Sequence, residues 1–184
     1  MRQLKLSLRM MFLPTLYVFL LFPLIGANCT EKLLLGPGQV VAEYCRRELA
    51  GVRLSGSTWE HMAPLVIWKH EPTTEPIVIV SAFRLKSVSQ RGDKAVATVE
   101  FDVLGQLDTP EHLTLKRKSE VAQFQLLRRR GKWKIFDPDF PPHVTPAPLR
   151  KHIQGLVEAD KRAGLIDRKD TLSKVIRQLD ALLK

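Results

Sequence analysis

The chain has 184 residues, of which 45% are hydrophobic and 26% are charged. This length and composition favour one globular domain with a short appendage, and they exclude a disordered, collagen-like or multi-span membrane protein. Two cysteines are too few for a disulfide-rich scaffold. The 29 Lys and Arg residues against 19 Asp and Glu residues give a formal net charge of +10.

The amino-terminal segment, residues 1–28, predicts an export signal. It begins with basic residues, and no charged residue then occurs from Met10 to Thr30. A basic start, an apolar centre and small residues such as Gly26 and Ala27 at the end are typical of a secretory signal peptide. An uncleaved anchor is the alternative, because the uncharged stretch is long enough to cross a bilayer. We therefore expect a protein that is periplasmic, anchored at the cell envelope or secreted.

Cys29 follows this segment directly, and its fate also decides that of Cys45. Residues 24–29 resemble a bacterial lipobox, with Asn28 in place of the usual small residue, and lipidation of Cys29 would anchor the protein to a membrane. Without lipidation, an oxidising compartment allows a disulfide between Cys29 and Cys45. Cys45 shares a helical face with apolar residues, so we expect it to be a small buried side chain.

The first helix is predicted directly after the turn-forming residues 36–38. Over residues 39–50 the apolar side chains recur at helical spacing, and Gly51 stands where a helix often ends. A second, short helix is predicted around residues 57–62, because Ser57 or Thr58 can cap it.

From Pro76 onward the pattern changes to the alternation that is typical of strands. The turns at residues 91–94 and 130–131 each contain a glycine and predict hairpins. Residues 105–119 are largely polar, and we predict a loop there. Four strands are expected, at residues 77–88, 95–104, 120–127 and 133–136.

The proline-rich residues 137–146 cannot continue a regular element. An amphipathic helix is predicted to begin at Thr145 or Pro146, and another after Asp167 or Asp170. These interpretations divide the chain into a signal peptide at 1–28, of the ordinary or the lipoprotein type, a sheet domain at 36–145 and a C-terminal helical extension at 146–184.

The order of helix, short helix and curved sheet resembles the NTF2-like superfamily, which includes nuclear transport factor 2, ketosteroid isomerase and SnoaL-type proteins. The matching segments are a first helix at residues 37–44, a central strand at 95–101 and a final hairpin at 121–135. For an exported bacterial member, the resemblance implies an α+β fold in which a curved antiparallel sheet wraps around an N-terminal helix as a cystatin/NTF2-like cone, followed by C-terminal helices. It also implies a pocket and, commonly, a homodimer.

Ketosteroid isomerase-like members use a tyrosine on the first helix together with aspartates. Tyr44 lies on the first predicted helix, and Glu100 and Asp102 share one face of a predicted strand. Such a carboxylate pair can serve acid–base chemistry if burial raises one pKa. The alternative is a solvent-facing pair that binds Arg84 and Lys86 on a neighbouring strand.

The candidate pocket-lining residues are aromatic or imidazole side chains of the first two helices and the apolar stretch that follows: Tyr44, Trp59, His61 and Trp68. No two histidines lie four residues apart on one predicted helix, so we predict no metal site. The chain has no phosphate-binding glycine loop and no nucleophile elbow, and we predict no cofactor.

A basic cluster, Arg128, Arg129, Arg130 and Lys132, surrounds the last predicted hairpin turn. It suits anionic phospholipid or a cell-wall polymer, and a solvated turn is the alternative. The expected export argues against a nucleic acid as the partner.

The leading hypothesis is therefore a non-catalytic binding or scaffold module, at the cell envelope or secreted, whose NTF2-like pocket takes a small apolar ligand or whose surface binds an envelope protein. One alternative is a small pocket enzyme of the isomerase or dehydratase type that uses Tyr44 with Asp102 or Glu100. Another is a binder of anionic envelope surfaces.

Overall fold

A computed structural model describes residues 35–68, 75–138, 140–165 and 168–184. The predicted export signal and Cys29 lie outside the described residues.

Helix α1 spans Pro37–Leu49 and begins with proline at its first position, where the missing N–H is no loss. Its buried face includes Val41, Tyr44 and Cys45, so the predicted first helix and the predicted burial of Cys45 are confirmed.

Three short 3-10 turns follow α1, at Val52–Leu54, Gly56–His61 and Ala63–Leu65. The predicted short helix around residues 57–62 is therefore a 3-10 turn rather than an α-helix. Pro64 stands inside the last turn and lacks the N–H that a longer helix would need. The turns place Met62 and Leu65 in the same core as α1.

The fold is α+β, with a curled five-stranded sheet that forms a half-barrel against α1. The strands are β1 (Ile77–Arg91), β2 (Lys94–Thr109), β3 (His112–Arg129), β4 (Lys132–Asp137) and β5 (His143–Val144). Their spatial order is β4-β3-β2-β1-β5. Neighbours among the first four strands are antiparallel, whereas the two-residue β5 pairs with β1 in parallel, so the sheet is mixed and not wholly antiparallel.

The loop predicted at residues 105–119 is wrong, because these residues extend β2 and β3 into one long hairpin. Leu107 of β2 pairs with Leu113 of β3, and Leu107 is only 2% exposed. Gln106 and Asp108, on either side of Leu107, point to the other face of the sheet, towards Val78 and Val103. The segment thus has the two-residue period of a strand, although its composition is that of a loop.

A bulge between Val103 and Gly105 exchanges the two faces of β2. Up to Val103, the buried side chains of this strand pack with α1. Beyond the bulge, Leu107 pairs with Ile77, and both pack on the opposite face. The sheet consequently supports two separate cores.

The second core lies under helices α2 (Pro146–Ala163) and α3 (Lys169–Leu182), which confirms the two helices predicted after the proline-rich segment. All described residues belong to one compact unit, Leu33–Lys184, so these helices are part of the same body as the sheet. The buried members of this second core are Ile77, Ile79, Leu107, Val144, Leu149, Ile153, Leu172, Val175 and Leu179.

Among the helices of the described ranges, none is long and apolar enough to cross a membrane.

Gly105 allows β2 and β3 to approach closely at the bulge. A Cβ atom there would lie 2.4 Å from the carbonyl oxygen of Thr114, which is backbone and cannot rotate away. We predict that Gly105→Ala lowers the free energy of unfolding by roughly 1–3 kcal/mol, measured by urea denaturation, because the strands must separate.

Gly155 provides the matched control, since a Cβ atom there meets no atom within 4 Å. Gly155→Ala in the interior of α2 should raise the free energy of unfolding by up to about 1 kcal/mol. Equal stabilities of Gly105→Ala and the unaltered protein would contradict the close approach of β2 and β3.

Candidate functional site

A continuous row of rings fills much of the space between α1 and the sheet. Neighbouring ring centroids in this row lie between 4.3 and 6.2 Å apart, and most pairs meet edge to face. Such contacts contribute beyond the area that they bury. In spatial order the aromatic row consists of Trp59, Trp68, Tyr44, Phe124, Phe140, His143 and Phe101.

The structure brings three of the four candidate pocket residues together, but as packed members of this row. Tyr44 is 2% exposed, and Trp59 stacks on Trp68 with 10° between the ring planes. The indole N–H of Trp68 donates to the carbonyl oxygen of Phe136 at 3.2 Å. His61 is exposed on its turn, where its carbonyl oxygen accepts from Arg47.

A buried ion pair lies beside the row. The Arg53 Nη1 atom donates to Glu48 Oε1 at 3.0 Å, to the Phe140 carbonyl oxygen at 2.9 Å and to the Tyr44 hydroxyl at 3.3 Å. The second oxygen of Glu48 accepts from the backbone N–H of His143 at 3.0 Å. Glu48 and Arg53 are 2% and 0% exposed, so the pair joins α1, the first 3-10 turn and the segment before β5 without solvent.

Burial has opposite consequences for the two ion-pair partners. It raises the pKa of Glu48, an effect that Arg53 and the His143 N–H oppose. Burial alone would lower the pKa of Arg53, but the adjacent Glu48 carboxylate more than offsets this and leaves that pKa raised. Burial also raises the pKa of the Tyr44 hydroxyl, which Glu48 reinforces. A phenol held in this way is a hydrogen-bonding group and not an acid near neutral pH.

An open cavity of about 230 Å³ lies on the α1-bearing face of the sheet, beyond the end of the aromatic row. Its apolar floor is formed by Val78 and Val103, which belong to the core around α1. The bulge at Gly105 places polar side chains of β2 on this face. The remaining lining residues are Gly105, Gln106, Asp108, Thr114, Lys116 and Lys118.

The polar wall of the cavity carries two lysines and one carboxylate, Lys116, Lys118 and Asp108. Lys118 pairs with Glu120 at 2.8 Å, and the Asp108 carboxylate contacts His112 at 3.0 Å. A hydrogen bond from Gln106 and the contact with His112 lower the pKa of Asp108. Lys116 has no ion pair within the part of the chain that the structure describes. Its ammonium group is therefore available to an anion.

His143 stands next to the cavity, because it is the β5 partner of the floor residue Val78. Its Nδ1 atom lies 2.8 Å from the Pro141 carbonyl oxygen, which can only accept, so Nδ1 carries the proton. Burial lowers the pKa of His143 and favours this neutral ring. Its Nε2 atom is buried and has no hydrogen-bond partner among the described residues. A hydrogen-bond donor from a ligand would satisfy this acceptor.

The carboxylates of the enzyme hypothesis point away from Tyr44. Arg84 forms two hydrogen bonds of 2.9 Å to Asp102, and Lys86 binds Glu100 at 3.0 Å, which is the solvent-facing pairing that the sequence left open. The Ser119 hydroxyl and the Lys86 ammonium lower the pKa of Glu100 to about 2. The arrangement supplies no acid–base pair with Tyr44.

The basic cluster lies at the turn between β3 and β4, and its members are exposed. Arg128 binds Asp93 at 2.7 Å and lies 5.5 Å from the centroid of the Trp133 ring. The structure places this cluster at one end of the sheet, whereas the cavity lies towards the opposite end, where β2 turns into β3.

Sequence reasoning missed Gln106, Lys116 and His143. The first two lie in the segment that was predicted to be a loop, and the alternation of Leu113 and Leu115 with polar residues was the available signal. His143 lies in a proline-rich stretch without periodicity, and no local signal marks it. The buried partners Glu48 and Arg53 were missed as well, because charged residues are expected at the surface.

A comparison of the chain with family models, with curated proteins and with solved structures finds no match. The site is therefore described by its own residues alone. Within the described ranges, no group of three or more His, Cys, Asp and Glu side chains could hold a metal ion.

The buried ion pair generates a prediction about stability. Arg53→Met leaves the Glu48 carboxylate buried without its partner, and we expect the free energy of unfolding to fall by about 3–5 kcal/mol. The double variant Glu48→Leu with Arg53→Met should recover a large part of this loss, because neither charge remains buried. Urea denaturation of the two single variants and the double variant measures the coupling. Losses that simply add, to within about 0.5 kcal/mol, would mean that the two groups do not interact.

Proposed function

We propose that this protein is a non-catalytic binding module of the cell envelope, or a secreted one, with an NTF2-like cone that holds a small ligand at its open end. The observation that carries the proposal is the cavity lined by Val78, Val103 and Lys116, which combines an apolar floor with an ammonium group that forms no ion pair within the described part of the chain. His143, the strand partner of Val78, adds a buried Nε2 acceptor without a hydrogen-bond partner among the described residues. The curled sheet around α1 supports the NTF2-like assignment. The uncharged stretch of residues 10–30 supports export.

The chemistry of the cavity favours a small anion over a wholly apolar ligand. Lys116 offers a positive charge, and Val78 and Val103 offer an apolar surface for a ring or short chain. The lone pair of His143 Nε2, on the strand beside Val78, can accept a hydrogen bond from a ligand hydroxyl group. The volume of about 230 Å³ is below the roughly 300–1,000 Å³ of drug-sized pockets, which favours a compact ligand. A hydroxy acid with one small apolar group has these properties.

Three probes of similar size separate these features: mandelate, phenylacetate without the hydroxyl group, and methyl mandelate without the charge. We predict that the full chain binds mandelate about tenfold more tightly than either of the other two, since each lacks one hydrogen-bonding feature of the site. Calorimetric titration measures the three dissociation constants. Lys116→Gln should abolish the preference for mandelate over its methyl ester.

Lys151→Gln on the exposed face of α2 is the matched control, because it removes the same charge far from the cavity. This variant should bind mandelate as the unaltered protein does. Equal affinity for all three probes, or an unchanged preference in Lys116→Gln, would contradict the proposed ligand chemistry.

A further inference from the structure

The turns that join β1 to β2 and β3 to β4 meet at one end of the sheet. The backbone N–H of Arg128 donates to the Asp93 carbonyl oxygen at 2.8 Å, and their side chains form an ion pair of 2.7 Å. The two turns therefore form one surface, which we call the basic end. Its exposed cations are Arg91, Lys94, Arg128, Arg129, Arg130 and Lys132, and Asp93 is the one acidic residue within the two turns.

Most cations of the basic end are not compensated. Asp93 binds Arg128, whereas the other basic residues of this surface form no ion pair within the described part of the chain. Six basic residues less one acidic residue leave a charge of +5 on two short turns. Like charges at this density repel one another, so they favour an anionic partner.

The backbone at Arg130 is a second observation. Arg130 and Gly131 have φ angles of 50° and 76°, the positive pair that a two-residue hairpin turn of type I′ requires. Asn is the residue that usually occupies the first of these positions, because a larger side chain is strained there. An arginine therefore stands where asparagine would suit the turn better, which adds a cation at the tip of the surface.

The chain enters the domain at this same end. A Cβ atom on Gly38 in the first turn of α1 would lie 3.0 Å from Val88, three residues before Arg91. Leu35, the first described residue, precedes this contact by three positions. The uncharged stretch of residues 10–30 lies only a few residues upstream. Only residues 31–34 separate this stretch from Leu35, and an extended chain gains at most about 3.6 Å per residue, so the linker to a membrane that holds the stretch is short.

We propose that the basic end binds the anionic headgroups of the membrane that holds the amino-terminal segment. This inference rests on the proposed envelope location. Each Lys or Arg near an anionic bilayer strengthens binding by about fivefold. In this orientation the bilayer contacts one end of the sheet, and the ligand cavity at the other end remains open.

The test uses the full chain in lipid nanodiscs of phosphatidylcholine, with and without phosphatidylglycerol. Deuterium exchange of the amides in residues 90–94 and 128–132 reports contact with the headgroups. We expect slower exchange in the anionic discs than in the neutral ones at low salt. This difference should disappear at high salt, because the contact is electrostatic.

The triple variant Arg129→Gln, Arg130→Asn, Lys132→Gln should lower the equilibrium constant for this contact by about a hundredfold, at roughly fivefold per cation. Asn at position 130 suits the turn, so the variant should fold, and its thermal unfolding temperature verifies this. The matched control Lys151→Gln, Lys161→Gln, Lys174→Gln removes three exposed charges from α2 and α3. It should keep the slow exchange of the basic end.

Equal exchange in neutral and anionic discs, with the chain incorporated in both, would overturn this inference alone. A chain that incorporates in neither disc would contradict the envelope location and this inference with it. Soluble polyphosphate that slows exchange in neutral discs as much as the anionic lipid does would identify a general polyanion surface and overturn the membrane assignment. The ligand test with Lys116→Gln is independent of all three outcomes.

Discussion

The buried pair of Glu48 and Arg53 is the interaction on which the rest of the structure depends. Glu48 on α1 binds the N–H of His143 in β5, 95 residues further along the chain, and Arg53 binds the carbonyl oxygen of Phe140 just before that strand. Removing two charges from water costs free energy that their attraction only partly offsets, so the pair is not a simple source of stability. The pair instead fixes the relative positions of the segments that it joins, because few arrangements of these segments keep the hydrogen bonds of Glu48 and Arg53. The position of His143 follows from it.

The bulge in β2 is the second constraint, because it decides what each face of the sheet carries. Before it, Val103 faces α1, and after it Leu107 faces α2 and α3. The polar side chains near the end of β2 consequently meet the apolar floor beside His143, which is how a cavity with both kinds of surface arises. Gly105 permits this because no side chain separates its backbone from that of β3.

The elements with clear periodicity could be predicted from the sequence, and the interior that they enclose could not. Helix α1 and the turn at Gly131 follow from helical spacing and turn chemistry, which are local properties. The extension of β2 through Gln106 was missed because a polar strand has the composition of a loop. Tyr44, Trp59 and Trp68 were grouped from the sequence as pocket-lining residues. The rest of the aromatic row was missed because Phe140 comes from an irregular segment, and only the folded chain brings it to Phe124. For Asp102, the sequence left two alternatives, a buried acid–base group or a solvent-facing partner of Arg84. The ion pair with Arg84 in the structure identifies the second.

A water-excluded network of buried polar groups holds His143 in place beside Val78. The backbone N–H of His143 reports on it directly, because its partner is the buried Glu48 carboxylate. Hydrogen exchange of this single amide is the decisive measurement. The structure predicts exchange as slow as that of the fully buried Val99 in β2, since both would then require global unfolding. Exchange as fast as that of Gly92 in the exposed turn would contradict the account.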